Sequence, residues 1–214
     1  MKRGFVIAIV GAESTGKTQL AQALQAQLVE QGQHATSVGE TLREFCDKHG
    51  RTPRADEQAT IAAEQTRRIA AAAAEHGAVV ADTTALMTAV YSDYIFGDAS
   101  LHPAAAAAHR GYDLTLLTAL DLPWRADGLQ RDGAHVREPV DALIRAALLR
   151  MGQPFVVVAG SGAARLAAAW RAVQQALGVV DEEDAGPANW QWRCEHCGDP
   201  DCERRLLLPR QPRA

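Results

Sequence analysis

Aromatic side chains are scarce in this chain of 214 residues: phenylalanine, tryptophan and tyrosine together make up 5% of it. A core built without them must be aliphatic and packed between layers, and the abundance of alanine adds an intrinsic preference for helix. Long apolar runs are missing too. Apolar runs such as Phe155 to Ala159 fall far short of the roughly 20 residues that cross a bilayer, so no membrane partner is expected. Positive charge is not in excess, with 22 Lys and Arg against 26 Asp and Glu and a net charge of -4. That balance argues against a nucleic acid backbone or an anionic lipid surface as the main partner. Cysteine is sparse and uneven: Cys46 stands alone, and Cys194, Cys197 and Cys202 cluster near the end. This is no spread disulfide framework, and a cytoplasmic compartment is expected. Met1-Lys2-Arg3 is basic, but Gly4 to Val10 runs into a glycine loop without a small-residue cleavage site. The start reads as a first strand rather than a secretory leader.

What is present is an alternation. Phe5 to Val10 is a continuous β-branched run without polar interruption, as in a strand covered on both faces. After the loop, Leu20, Leu24 and Leu28 recur at helical spacing up to Gln31-Gly32. A weaker strand around His34 to Val38 leads to a helix carrying Leu42 and Phe45, and Arg51 to Arg54 breaks the pattern. Asp56 to Glu75 reads as one long helix, Ala78 to Ala81 as a buried strand, and Met87 and Tyr91 as the start of another helix. Pro103 to His109 is a short helix opened by proline. Leu114 to Leu117 is the next strand, Asp121 to Gly133 a polar loop, and Val140 to Leu148 an amphipathic helix. Pro154 to Ala159 is the last strand, with a helix after Gly160-Ser161-Gly162 reaching about Leu177. The expected fold is therefore α/β, a three-layer sandwich around a mainly parallel five-stranded sheet over residues 1–178. Residues 179–214, where the periodicity stops, are expected to form a Cys-containing appendage.

Gly11-Ala12-Glu13-Ser14-Thr15-Gly16-Lys17-Thr18 satisfies the phosphate-loop pattern, and it stands between a buried strand and an amphipathic helix, as that motif requires. The glycines let backbone amides close around phosphate oxygens, and the following helix adds its dipole. Lys17 is expected to reach the β- and γ-phosphates of ATP, and Thr18 to place its hydroxyl on Mg²⁺.

The loop alone does not say where the γ-phosphoryl goes, to an acceptor or to water. Asp82 follows a buried strand and should emerge at the same sheet edge, as a Mg²⁺ carboxylate or as a base for an acceptor hydroxyl. Its bland reading is a helix N-cap. Glu40, past the second strand, and Arg43, one helical turn on, form either an acceptor-binding pair or a solvated ion pair. Arg125, Arg131 and Arg137 lie in and just after a loop with Asp121, Asp127 and Asp132. Such a loop reads as a lid bringing arginines onto a transferring phosphate and excluding water, or as an ordinary charged surface loop. Trp124 could stack on an aromatic ligand or fill a gap. The enzyme reading competes with a regulatory nucleotide switch that modulates partner binding.

Gly11 to Thr18, Asp82-Thr83-Thr84 and Tyr112-Asp113-Leu114 through Pro123-Trp124-Arg125-Ala126-Asp127-Gly128-Leu129 together resemble the NadR-type ribosylnicotinamide kinase domain, a P-loop AAA family. The resemblance covers about residues 4–177, and the Pro-Trp-x-x-Asp-Gly segment is its most specific part. It implies an ATP- and Mg²⁺-dependent kinase that phosphorylates the ribose 5′-hydroxyl of nicotinamide riboside to give nicotinamide mononucleotide. It also implies that Glu40, Arg43, Trp124 and Asp127 bind the substrate, and that Lys17, Asp82 and a lid arginine act in transfer. Gln130 stands where the family carries that arginine, which leaves Arg131 and Arg137 as alternatives.

In the tail, Cys194-Glu195-His196-Cys197 and Cys202 have thiol spacings suited to zinc, short of the fourth ligand of a closed site. A zinc site, a reduced thiol cluster and a redox pair all remain open. So does the tail's use, in packing on the core, in joining subunits into a homo-oligomer, or in contacting another partner.

Overall fold

A computed structural model describes residues 3–125 and 133–179. Asp127 and Arg131 of the expected lid, and Cys194, Cys197 and Cys202 of the expected zinc cluster, lie outside the described residues.

The first strand, β1 (Phe5–Val10), is inaccessible to solvent from Ile7 onward. Its alternating side chains feed two helical layers, which is why the sequence shows no polar alternation. Ile7 and Ile9 pack against Leu20, Leu24 and Leu28 of α1 (Lys17–Glu30) and Val173 of α7 (Gly162–Ala176). On the other face Val6 meets Ile69 and Ala73 of α3 (Ala55–Glu75). Val10 meets Leu86 and Val90 of α4 (Ala85–Phe96) and Ile144 of α6 (Arg137–Arg150). Each fully buried Leu, Ile or Val contributes about 1.5–3 kcal/mol by its removal from water, so this strand anchors both layers.

The remaining strands are β2 (Ala35–Val38), β3 (Ala78–Asp82), β4 (Leu114–Thr118) and β5 (Val156–Val158). Their order is β2-β3-β1-β4-β5, with every pair parallel. Parallel pairing requires crossovers. These are α1, then α2 (Thr41–His49) with α3, then α4 with α5 (His102–His109), and finally α6. The chain leaves β1 towards one side of the sheet and later crosses to β4 on the other, which opens a crevice at the carboxyl ends of the central strands.

The expected fold holds, with local adjustments. The sheet is wholly parallel rather than mainly so. β3 runs one residue further than its apolar run, because Asp82 still pairs in register with Ile9. The edge strand β5 keeps only three residues, and Val156 and Val157 remain partly open to solvent. α6 begins at Arg137, ahead of its apolar stripe; Pro139 fits there because first-turn amides have no intrahelical partner.

His109, at the end of α5, is completely buried. Its Nε2 lies 3.0 Å from the Thr115 hydroxyl of β4, and its Nδ1 lies 3.4 Å from the Thr84 hydroxyl. Burial pushes its pKa down from 6.5 to about 4. The unfolded chain therefore takes up a proton that the folded chain refuses, and stability complete above about pH 6.5 is lost as pH falls towards 4. Denaturant titrations from pH 7.5 to 4.5 are expected to show a loss approaching about 3 kcal/mol from this group. The slope should flatten in His109→Gln; an equal slope in both proteins would contradict the assignment.

Candidate active site

The phosphate loop departs from β1 at Gly11, where a side chain is impossible: a Cβ there would sit 2.0 Å from Thr118 Oγ1. Gly16, with φ of +75°, turns the backbone into α1. Between them Thr15 is buried, and its hydroxyl donates to the Ala12 carbonyl at 2.8 Å. The same hydroxyl lies 2.7 Å from that of Thr118, which in turn reaches the Val10 carbonyl at 3.3 Å. The loop is thus fixed from β4 through side-chain hydroxyls. Lys17 Nζ donates to the Ala12 carbonyl at 2.9 Å, which lays its ammonium across the loop.

A further brace was not foreseen in the sequence. Arg165 of α7 is 4% exposed and places its guanidinium behind the loop. Nη1 donates to the Thr15 carbonyl at 2.6 Å. Nη2 reaches the carbonyls of Val158 and Ala119 at 3.1 and 3.3 Å and Asp121 Oδ1 at 3.0 Å. Asp121 also accepts from the Gly160 amide. Burial lowers the Arg165 pKa and the Asp121 carboxylate opposes that shift. One side chain therefore joins the phosphate loop to the ends of β4 and β5. The available signal was an arginine in the alanine-rich first turn of α7, four residues past Ser161.

Two cavities flank the loop. One of about 400 Å³ lies between the loop, α2, the start of α3, and α4. Met87, Tyr91 and Phe96 give it an apolar wall; Glu40, Arg43 and Gln58 supply polar groups. Glu13, 7% exposed, also faces it. The other, of about 610 Å³, follows the loop from Ser14 to Gln19 and is bounded by Leu122, Pro123, Arg125, Ser161 and Gly162. Ser14, Lys17 and Arg43 line both.

Glu40 stands at the N-cap position of α2, and its Oε2 lies 3.7 Å from Arg43 Nε. The pair lines the first cavity. Asp82 ends β3 at 4% exposure, with Oδ1 enclosed and without a hydrogen-bond partner among the described residues. It does not cap α4, because the Thr84 hydroxyl accepts from the Leu86 amide instead. An orphaned buried carboxylate oxygen beside the loop suits a cation or a proton donor. Among the described residues no group of three or more His, Cys, Asp or Glu side chains could hold a metal. Thr18 and Asp82 carry oxygen donors of the kind a hard cation such as magnesium would take.

Among the described residues, three expected side chains line neither cavity: Asp82, although Thr83 next to it faces the first, Trp124 and Arg137. Trp124 is half-buried and lines neither cavity; Leu122, Pro123 and Arg125 beside it face the second. The Arg125 amide donates to Ser14 Oγ at 2.8 Å, docking this segment on the phosphate loop. Arg137 is 8% exposed at the start of α6 and donates to the Leu120 carbonyl at 3.1 Å. That bond uses Nη2, and Nε is enclosed without a partner among the described residues.

Arg165→Ala removes the donor that joins the Thr15 and Ala119 carbonyls to Val158 and Asp121, so nucleotide affinity in a calorimetric titration should fall by about ten-fold or more. Arg165→Lys should recover only part, since an ammonium cannot fill the same fork. Wild-type affinity in both would remove Arg165 from the site.

The chain was compared with known proteins. It matches the AAA domain family over residues 6–165. No curated protein matches it. A solved structure described as NadR protein in complex with NAD and AMP-PNP superposes with a TM-score of 0.65 at 22% identity, over 83% of this chain and 51% of the other. A second, NadR protein in complex with NR, gives 0.68 at 21% identity, over 83% and 52%. The chain thus spans about half the length of these solved relatives. The fold is that of the NadR proteins, and with the match running from β1 to Arg165 across the phosphate loop, the chain belongs to the AAA domain family.

Proposed function

We propose that this chain is an ATP-dependent small-molecule kinase that transfers the γ-phosphoryl group to the ribose 5′-hydroxyl of nicotinamide riboside. The observation that carries the reading is the meeting of two cavities at Ser14, Lys17 and Arg43. A nucleotide-sized space follows the phosphate loop, and an acceptor-sized space with an apolar wall and polar groups adjoins it. A switch that only hydrolyses its nucleotide has no need of the second space. The NadR complexes with AMP-PNP and with NR support the same pairing of ligands.

In this scheme the loop amides from Glu13 to Thr18 bind the phosphates, and Lys17 leaves the Ala12 carbonyl for the β- and γ-phosphate oxygens. Thr18 and Asp82 are the residues that would hold magnesium, which neutralises charge on the phosphates when bound. Glu40 and Arg43 orient the acceptor's hydroxyls. Asp82 takes the proton of the attacking hydroxyl as its oxygen bonds to the γ-phosphorus and the bond to the β–γ bridging oxygen breaks, releasing ADP. Arg125, exposed on the nucleotide side, and Arg131 are the arginines proposed to neutralise the transferring group. Asp127 is proposed to bind substrate from the same segment. Positioning and charge stabilisation carry the rate.

The test is a panel of pyridine ribosides and common nucleosides with MgATP, read as acceptor-dependent ADP release and phosphorylated product. Nicotinamide riboside is expected to be the best acceptor. Lys17→Ala and Asp82→Asn should each lower kcat by about 100-fold or more. Turnover that ignores every acceptor would favour the regulatory switch and reject the kinase reading.

A further inference from the structure

We infer that Gln65 is a positioning residue that sets the acceptor-binding turn of β2 against the carboxylate-bearing turn of β3. The inference rests on the kinase reading for its kinetic consequence, but its structural basis is independent of it.

β2 and β3 pair in parallel from Ala35↔Ala78 to Val38↔Ala81. Beyond that last rung the two chains diverge: Gly39-Glu40 turns into α2, while Asp82-Thr83 turns into α4. These are the turns that carry the proposed acceptor ligand and the proposed base, and no backbone rung joins them. Gln65, from the middle of α3 and 2% exposed, inserts between them. Its Oε1 accepts from the Thr41 amide at 2.8 Å. Its Nε2 donates to the Gly39 carbonyl at 3.2 Å and the Thr83 carbonyl at 3.4 Å. One carboxamide thus brackets Glu40 from both sides and reaches the residue next to Asp82.

The chemistry of the side chain is specific to the task. Two carbonyls and one amide converge, and they require one acceptor and two donors on a planar group, which is the inventory of a carboxamide. A carboxylate offers no donor and sets charge against two carbonyl oxygens; an aliphatic side chain leaves three buried polar groups unpaired. The partner on the β3 side is unusual in itself. Thr83 adopts φ of +70°, a left-handed conformation that a β-branched residue rarely takes. Its amide is held by the Ile9 carbonyl at 3.1 Å and its carbonyl by Gln65. Removing Gln65 releases one end of that strained peptide, and Asp82 with it.

The experiment compares wild type with Gln65→Leu and Gln65→Glu, using the best acceptor of the panel. Both variants should raise the acceptor KM and lower kcat by ten-fold or more, while the affinity for ATP without magnesium stays within two-fold. Equal losses for both substrates at unchanged KM would mean only a smaller folded fraction, and would overturn the assignment. So would wild-type constants in Gln65→Leu. Independently of any turnover, hydrogen exchange of the Thr41 amide should be slow in wild type and at least ten-fold faster in Gln65→Leu, with β1 amides unaltered. Unchanged exchange at Thr41 would overturn the inference. If the wild-type chain phosphorylates no acceptor, the kinase reading falls, and the exchange result alone decides whether Gln65 fixes the two turns.

Discussion

The phosphate loop keeps its shape because a buried guanidinium stands behind it. Arg165 has been taken out of water, a cost that three carbonyls and the Asp121 carboxylate offset at its two terminal nitrogens, while Nε is enclosed without a partner among the described residues. The carbonyls come from the loop, from the exit of β4 and from β5, so α7 closes the sheet at the end where the ligand cavities open. The Thr15 and Thr118 hydroxyls finish the closure from the centre, at the point where Gly11 leaves no room for a side chain. The amides that would meet phosphate are preorganised by contacts on the opposite side of the loop, not by the ligand itself.

The acceptor side is built on a similar plan with different chemistry. There the link is a neutral carboxamide from α3, and it joins two turns that the sheet ladder does not reach. Gln65 and Gln58 lie on the buried stripe of α3, two turns apart, and Gln58 faces the acceptor cavity. The long helix thus serves as a rail that carries polar groups from the sheet to the cavity wall. Glu57 at its start binds Arg51 through paired bonds of 2.7 Å and accepts from the Arg54 amide, which fixes the α2–α3 connection that borders the same cavity.

Much of this architecture was legible from residue patterns because the strands are apolar on both faces and the helices carry leucine or isoleucine at turn spacing. The phosphate loop and its flanks were legible for the same reason, together with its strict glycine positions. Glu40 and Asp82 could be placed at the sheet's carboxyl edge from strand ends alone. The braces were not. Arg165, Gln65 and Thr118 are polar residues on elements read from their leucine, isoleucine or alanine content, and their partners are backbone carbonyls, a backbone amide, a carboxylate and a hydroxyl from distant segments. A one-dimensional pattern holds no trace of a carbonyl that needs a donor. Trp124 is a case where residue chemistry gives no position: an indole suits stacking on a ligand, yet its neighbours Leu122, Pro123 and Arg125, and not Trp124 itself, line the second cavity.

The brevity of β5 has a meaning of its own. An outer strand ordinarily invites a stranger to lie alongside it, because its unsatisfied amides and carbonyls repeat at regular intervals. Three residues provide too few such intervals for an intruding chain to zip onto, even though Val156 and Val157 would welcome it. Among the described residues, growth of the sheet in that direction is discouraged by truncation.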